Sequence, residues 1–598
     1  MTKAKQFINS PETAVSEVIR AILLANPISL VKVKDAPSLI HSSYNNSATH
    51  PNKTRVSLLS GGGSGHEPSH AGYISPTMLS GAIFGGMFAS PSVSDVLSAI
   101  LAVSVPDGKG CILIVKNYTG DRLNFGMAAE KAKLQYGIDC SLLVVSDDCA
   151  VPRDKGITGR RGVAGTVFVH KVCGALASQG APIEEILEAG RNVAQSLMSI
   201  GVALHSVTIP GAELNTRLED PTLAEVGLGI HGEPGSSQVP FTTSSSFAKI
   251  LVDKIAKFGY GEDSDVKHLR SNDNVVVLVN NLGGCSVFEL NVIANDLHNE
   301  LVALLGKRSN IRKFLVGTMM TSFNMVGASL SVLKLPEGAD GDTMLSQISL
   351  ATDAKGWISA ETRPADDDST TEKDISDLLV PNDKLITQTT VNIPNFDYAA
   401  FVTKAVKKIA TEITKAEPDL TSWDLKVGDG DCGITMKRGA NALLHGLESS
   451  TIDLKNPITT MTDVADIISS SMGGTSGALF EIFFRVCGRT IMEKSSSSND
   501  AADANAFSAG FVAGVEAIVS YGGAKEGYST MLDALLPASR AVGNFEKMKI
   551  ASAEGAENTK NLCAKAGRAN YINDDTQAGV PDPGAMAVSI ILASLCFE

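Results

Sequence analysis

This sequence has little with which to build a disulfide framework, cross a membrane or hold a nucleic acid. Its nine cysteines are scattered and form no C-x-x-C pair. That usage fits a reducing compartment and excludes a disulfide-stapled scaffold. Cys111, Cys173 and Cys285 lie in apolar runs and read as small buried residues. No run of 18 apolar residues occurs, so no membrane span is expected. The stretch Met1-Thr-Lys-Ala-Lys-Gln-Phe7 lacks an apolar signal region, and Leu595-Cys-Phe-Glu598 carries no targeting motif. Basic charge is also short. The 51 Lys and Arg against 65 Asp and Glu leave a net charge of −14. A nucleic-acid binder wants a basic face, and an anionic membrane repels an acidic one. A soluble, cytoplasmic protein with no nucleic-acid or membrane partner is the expectation.

What is present is an α/β pattern, then an all-α one. A chain of 598 residues is too long for one core, so several domains are expected. Between about Arg55 and Leu333, short apolar runs such as Val56–Leu59, Cys111–Val115, Leu142–Val145 and Val275–Val279 read as strands. They alternate with helical stretches such as Ile183–Met198 and Phe288–Leu304, which implies sheets with crossover helices. The composition turns polar and acidic around Glu361–Glu372, as a linker does. Beyond Pro394 the strand-like runs nearly vanish. Phe396–Glu417, Thr435–Leu447, Val464–Met472, Ala478–Glu493, Ala501–Tyr521, Met531–Val542 and Ala585–Leu595 read as helices. The expected division is 1–350 for an α/β domain, 351–393 for a linker and 394–598 for an all-α domain.

Three constellations fall in the first part. The Val56–Leu59 strand runs into Ser60-Gly-Gly-Gly-Ser-Gly-His-Glu-Pro-Ser-His70. The spacing is neither that of a dinucleotide loop nor a Walker A. Read as a strand–helix turn, such a run is either an anion cradle or a tight turn and nothing more. His66, Glu67 and His70 tip the balance toward function, although Pro68 breaks the spacing a helical zinc site needs. Next, Lys116-Asn-Tyr-Thr-Gly-Asp121 comes directly after the Cys111–Val115 strand. A strand's C-terminal end faces the ligand crevice of an α/β sheet, so Lys116 and Asp121 are site candidates, against the plainer reading of a surface ion pair. Last, His231 stands in Gly227-Leu-Gly-Ile-His-Gly-Glu-Pro-Gly235, where flanking glycines leave the ring accessible.

The all-α part carries the sharpest signal. Asp424, Asp429 and Asp431 sit at D-x4-D-x-D spacing around Val427-Gly-Asp-Gly-Asp-Cys-Gly433. Carboxylates this close repel unless a cation joins them, and oxygen ligands of this kind suit Mg2+ shared with phosphates. Met472-Gly-Gly-Thr-Ser-Gly477 adds backbone N–H groups free to crowd a phosphate. Tyr521–Met531, Gly567–Tyr571 and Val580–Ala585 are further Gly/Pro-punctuated joins. Each alone is only a turn. Together with the acidic loop they point to phosphoryl transfer.

Taken in order, GGGSGHEP, IVKNYTGD, GRRGVAGTVFVHK, GIHGEPG, LVNNLGG, VGDGDCG, MGGTSG, TMLDAL and DPGA resemble the ATP-dependent dihydroxyacetone kinases, or triokinases, over nearly the whole chain. The single-chain fungal form is the most similar. The resemblance implies an α/β substrate domain of two lobes and a nucleotide domain built as a helical barrel. It implies γ-phosphoryl transfer from ATP to dihydroxyacetone, and to glyceraldehyde, with the substrate held as a hemiaminal on His231. Substrate contacts would be Gly63, His66, Lys116 and Asp121, with His66 and Asp121 as the acid/base pair. Asp424, Asp429 and Asp431 would hold two Mg2+ ions. Nucleotide contacts would come from Asp429, Gly430, Asp431, Cys432, Thr475, Ser476, Gly522, Thr530, Met531, Asp582, Pro583 and Gly584. A homodimer is implied. Two positions depart from the pattern: Asn570 replaces the usual serine, and Ser529 stands where many relatives carry a charge. Rival readings are cyclising cleavage of FAD by the same nucleotide domain, and a ligand-binding regulator. Such a regulator is expected to have lost the aspartates or His231, and both are present.

Overall fold

The computed structural model describes residues 5–152, 159–258, 268–369, 393, 396–496, 504–565 and 579–596. The chain divides into two compact units, Met1–Lys373 and Asp374–Glu598.

The described part of the first unit holds two six-stranded sheets. Strands β1 (Leu30–Lys32), β2 (Ser38–His41), β3 (Ser57–Ser64), β4 (Gly81–Met87), β5 (Cys111–Lys116) and β6 (Cys140–Val145) form one, in the order β1-β2-β4-β3-β5-β6. The four strands from β4 to β6 in that order run parallel, and β1 and β2 close the edge antiparallel. Every residue of β5 is buried, as expected of an unbroken apolar run covered on both faces. The second sheet contains β7 (Leu197–His205), β8 (Leu223–Val226), β9 (Ser237–Pro240), β10 (Val275–Asn281), β11 (Ile311–Gly317) and β12 (Val326–Lys334), ordered β11-β10-β12-β7-β8-β9. Only β10 and β11 pair parallel; the rest of this sheet is antiparallel. One core joins the sheets. Leu58, Ile112 and Ile114 of the first share it with Val276, Leu278 and Leu333 of the second, around the helix Thr166–Ser178. That helix buries Val167, Phe168, Val169 and Val172 completely, because it is mostly apolar and wedged between layers.

The glycine run is not a strand–helix turn. Gly61, Gly62 and Gly63 lie inside β3, and beyond Ser64 the chain makes a turn and a short 3-10 helix at Ala71–Tyr73. The glycines are there for close approach. A Cβ on Gly61 would lie 2.5 Å from the Ile83 carbonyl oxygen, and one on Gly63 2.6 Å from the Phe88 and Ala89 backbone. Residues 351–369, expected to open the linker, are bonded to the first unit. The Gly356 N–H donates to the Gly72 carbonyl at 2.7 Å, Trp357 packs edge-on to Phe168 at 6.2 Å, and the Arg363 N–H donates to the Arg312 carbonyl at 2.9 Å. Residues 351–369 are therefore a strap on the first unit. Most of the expected linker, and Gly567–Tyr571, lie outside the described residues.

The described part of the second unit contains eight α-helices and no strand: Tyr398–Val427, Cys432–Glu448, Pro457–Ser471, Gly474–Ser496, Ala504–Gly522, Leu532–Arg540, Phe545–Asn558 and Pro583–Ser594. The first runs through Pro418, past the helix end expected at Glu417. Burial of Leu420 and packing against Cys432–Glu448 outweigh the hydrogen bond the proline removes. Short joins fold successive helices back on one another. The joins after Val427, Ser471 and Gly522 therefore fall at the same end. No helix among the described residues is long and apolar enough to cross a membrane.

Candidate active site

In the first unit, the C-terminal ends of β3 and β5 and the β8–β9 loop meet. His66, just beyond β3, is fully buried. Its Nδ1 lies 2.8 Å from the Thr321 carbonyl oxygen, which only accepts, so Nδ1 carries the proton and Nε2 keeps its lone pair. That Nε2 is buried with no hydrogen-bond partner. An orphaned buried nitrogen costs about 1–3 kcal/mol, the kind of deficit a ligand repairs. Burial first, then the charges of Lys116 and His231, hold the His66 pKa well below 6.5. The ring stacks on Phe88 at 5.1 Å and 15°. Phe88 is itself held at φ 52°, a left-handed conformation costing about 1–3 kcal/mol for a residue with a Cβ.

His231 stands beside this pair. Its ring centroid lies 4.9 Å from His66, 5.2 Å from Phe88 and 4.7 Å from Tyr118. Glu233, two residues on, clasps it twice. Oε2 accepts the His231 backbone N–H at 3.0 Å, and Oε1 lies 3.0 Å from Nδ1. The carboxylate puts the ring proton on Nδ1 and leaves Nε2 as the lone-pair nitrogen. Burial pushes the Glu233 carboxyl up, but the hydrogen bond and charge of His231 and the backbone N–H groups outweigh it and bring it down to about 2. Gly229 is required for this clasp, since a Cβ there would meet Glu233 Oε2 at 2.0 Å. Arg161 braces the loop from outside. It donates to Asp148 Oδ2 at 2.6 Å and to the Gly227 carbonyl at 2.7 Å.

Lys116 ends β5 and is buried, as is Asp121 in the first turn of the helix Thr119–Tyr136. Gly62 gathers them: a Cβ there would lie 2.8 Å from Lys116 Nζ and 3.4 Å from Asp121 Oδ2. Ser90 Oγ donates to Asp121 Oδ1. Burial pushes the Lys116 pKa down, against Asp121 and Glu67, which favour its charged form. His66, Lys116, Asp121, His231 and the Gly61–Gly63 run, far apart in the sequence, are thus gathered in one region.

In the second unit, Asp424, Asp429 and Asp431 present ligand oxygens all within 4.8 Å of one another, Asp424 buried and the other two exposed. Asp424, in the last turn of the helix Tyr398–Val427, ties down the loop that follows. Its Oδ2 accepts the N–H groups of Asp431 and Cys432, each at 2.9 Å, at the N-terminus of the next helix. Gly430 turns the chain at φ 83°. The residues fit a hard divalent cation: three carboxylates converge, and Asp424 is held by backbone N–H groups. Gly473 and Gly474, at φ 66° and 60°, place Thr475 and Ser476 in the opening turn of the helix Gly474–Ser496. Helix N-termini of this kind receive anions. Gly522 ends a helix, and Thr530 and Met531 come next in a loop tied down by Asp533, which accepts from Gly527 N–H at 2.5 Å and Thr530 N–H at 2.8 Å. Ser529, at φ 56°, is in the left-handed region within it. Asp582 caps the helix Pro583–Ser594 through the Ala585 N–H at 2.6 Å. Burial, then the charges of Asp533 and Asp424, raise its carboxyl to about 7. Gly584 lies against Met531: a Cβ on the glycine would stand 3.7 Å from the Met531 Cβ.

Sequence reasoning missed Glu233, Ser90, Thr321, Phe88 and Tyr118. Glu233 left a signal, a carboxylate two residues from a loop histidine. Thr321, 255 positions from His66, left none.

The Dak1 domain family matches residues 21–354 and the DAK2 domain family residues 426–597. The dihydroxyacetone kinase of Komagataella pastoris is 35% identical over 572 residues, covering 90% of this chain and 91% of its own. The triokinase/FMN cyclase of Mus musculus is 35% identical over 616 residues, covering 99% and 98%. The crystal structure of the dihydroxyacetone kinase from C. freundii in complex with AMP-PNP and Mg2+ is similar with a TM-score of 0.63, at 31% identity and 99% coverage of both chains. The chain belongs to the dihydroxyacetone kinase family.

Proposed function

We propose that this chain transfers the γ-phosphoryl group of ATP to dihydroxyacetone, with glyceraldehyde as a second acceptor. The observation that carries the reading is the tautomer of His231: a carboxylate on Nδ1 leaves Nε2 free to add to a carbonyl. The new Nε2–C bond forms as the C=O π pair moves onto oxygen. A proton from solvent water, relayed through His66 Nε2, passes to that oxygen, and the Glu233 carboxylate balances the charge gained by the ring. Burial keeps His66 neutral at rest, so it holds the proton only in passing. Capture of this kind selects for a carbonyl, which hydrogen bonds alone cannot do against a polyol such as glycerol. Asp121, fixed by Ser90, takes the proton of the terminal hydroxyl as that oxygen attacks phosphorus. Lys116 and Gly63 border the substrate.

Asp424, Asp429 and Asp431 would hold Mg2+, and the metal would neutralise phosphate charge in a transfer that depends on positioning. The helix start at Thr475–Ser476, the loop from Gly522 to Met531 and the turn Asp582–Gly584 would receive the nucleotide, with Gly430 and Cys432 beside the metal loop. A homodimer in which one chain's nucleotide domain serves the other's substrate domain would bring the phosphate to the hydroxyl. The test is ATP consumption with dihydroxyacetone, glyceraldehyde and glycerol. Turnover with the two carbonyl compounds and not with glycerol is expected; equal turnover with glycerol would contradict the reading. The name of the mouse relative, triokinase/FMN cyclase, favours a flavin-cyclising second activity, for which cyclising cleavage of FAD is the reading proposed. A product assay with FAD and Mn2+ decides it.

A further inference from the structure

Lys116 opens a chain of buried polar groups that the proposed chemistry does not use. Its Nζ lies 3.0 Å from His70 Nε2. His70 Nδ1 lies 2.9 Å from His170 Nε2 and 3.2 Å from Ser60 Oγ. Lys116, His70 and His170 are all buried, and His170 packs against the Tyr73 ring at 5.8 Å. The chain has one consistent polarity. An ammonium only donates, so His70 Nε2 accepts and the His70 proton is on Nδ1. His170 Nε2 must then accept that proton's hydrogen bond, which places the His170 proton on its Nδ1. That Nδ1 is buried and has no partner. A protein built only for stability would fill such a site with an apolar ring and avoid the orphan.

The groups facing Lys116 define what the chain does. Asp121 and Glu67 favour its charged form, while burial opposes it. Lys116 in turn keeps His66, His70 and His170 uncharged, after burial has done most of that. A carboxylate at position 70 would hold the ammonium but cancel its charge. A neutral imidazole holds one N–H and leaves the charge for the pocket.

We propose that His70, with its tautomer fixed by His170, is a positioning residue that sets the direction and the protonation of the Lys116 ammonium beside the substrate. This rests on the reading of the Lys116 region as the substrate site. His70 accepts from the charged form of Lys116, so its loss lowers the lysine pKa, and activity that needs the ammonium fades at lower pH.

The test uses the full-length chain, saturating Mg-ATP and dihydroxyacetone, with kcat/KM followed against pH. In His70→Leu the value falls roughly tenfold or more, and its alkaline limb moves down by about one pH unit. His70→Gln offers an amide oxygen in place of Nε2 and restores most of both. His170→Phe has a smaller effect in the same direction, since Ser60 still accepts from His70. A crystal structure of His70→Leu shows Lys116 Nζ displaced. An alkaline limb that stays put in His70→Leu, with Nζ in place, overturns the proposal. So does an equal loss in the Leu and Gln variants accompanied by a lower Tm, which marks a purely structural role. If His70→Leu does not fold, the pH profile of His170→Phe decides between the same outcomes. Absence of dihydroxyacetone turnover in the wild type would strike the proposed function, and the Nζ position in His70→Leu would still judge this proposal.

Discussion

The candidate sites of the two units are held in opposite ways. In the α/β unit each candidate side chain has a protein partner: Thr321 for His66, Glu233 for His231, Ser90 for Asp121 and His70 for Lys116. Most of these groups are buried, and the tautomers of His66 and His231 are set by their partners. In the helical unit Asp424 is fixed by two backbone N–H groups, but Asp429 and Asp431 are exposed on a glycine-bent loop. A small neutral ketone offers few handles, so its pocket must be shaped in advance. A nucleotide would bring its own charge and metal, and a loop proposed to receive it would need only to converge carboxylates for the ion.

That contrast predicts different failures. The largest belongs to the metal loop. Asp429→Asn lowers Mg2+-dependent ATP turnover by on the order of 10³-fold. Its Tm and its dihydroxyacetone binding by calorimetry stay unchanged; turnover like the wild type would remove Asp429 from the metal site. In the preformed pocket the damage is to binding. His231→Ala raises the KM for dihydroxyacetone roughly 10- to 100-fold with a smaller fall in kcat, the mark of lost substrate binding. Glycerol, which has no carbonyl, gains relative to dihydroxyacetone in the same assay. An unchanged KM would contradict the role.

The third prediction separates the units. Residues 1–369 expressed alone fold and bind dihydroxyacetone but not ATP. Ending at 350 removes the Gly356 bond to Gly72, the Trp357 packing and the Ala360 carbonyl that accepts from Lys313 at 2.5 Å. The shorter piece melts lower by about 5 °C or more in a thermal scan. Equal Tm values would mean that the strap adds nothing. The smallest effect is at low pH. The folded pKa of Glu233 is about 2, below its ordinary 4.5, so the ion stabilises the fold above pH 4.5 and that contribution is lost as pH falls toward 2. Partial exposure screens it, so the effect is modest. Denaturant midpoints in that window fall less steeply for Glu233→Gln than for the wild type.

The sequence is most legible where chemistry is local. The spacing of Asp424, Asp429 and Asp431 already brings the three carboxylates together, although Asp424 closes a helix and is not in the loop, and the apolar run at Cys111–Val115 already implies a strand. It misleads where tertiary packing decides the outcome. The triple glycine suggests a turn, yet it is a strand whose neighbours sit too close for any side chain. Pro418 suggests a helix end, yet burial carries the helix past it. Nothing in the pattern announces the helix Phe545–Asn558, whose many charged and small residues blur the apolar stripe. Cys111 and Cys173 are buried as expected, while Cys285 is only half-buried at the start of a helix. Thr321 and His170 are invisible, because the partner of a loop histidine can come from anywhere in the chain.

The most direct test of the account is a crystal of the protein soaked with dihydroxyacetone. The predicted result is electron density continuous from the His231 ring, at Nε2, to the substrate's central carbon, with Glu233 still bonded to Nδ1. Density joining the substrate to His66 or His205, or a substrate held by hydrogen bonds alone, would contradict it.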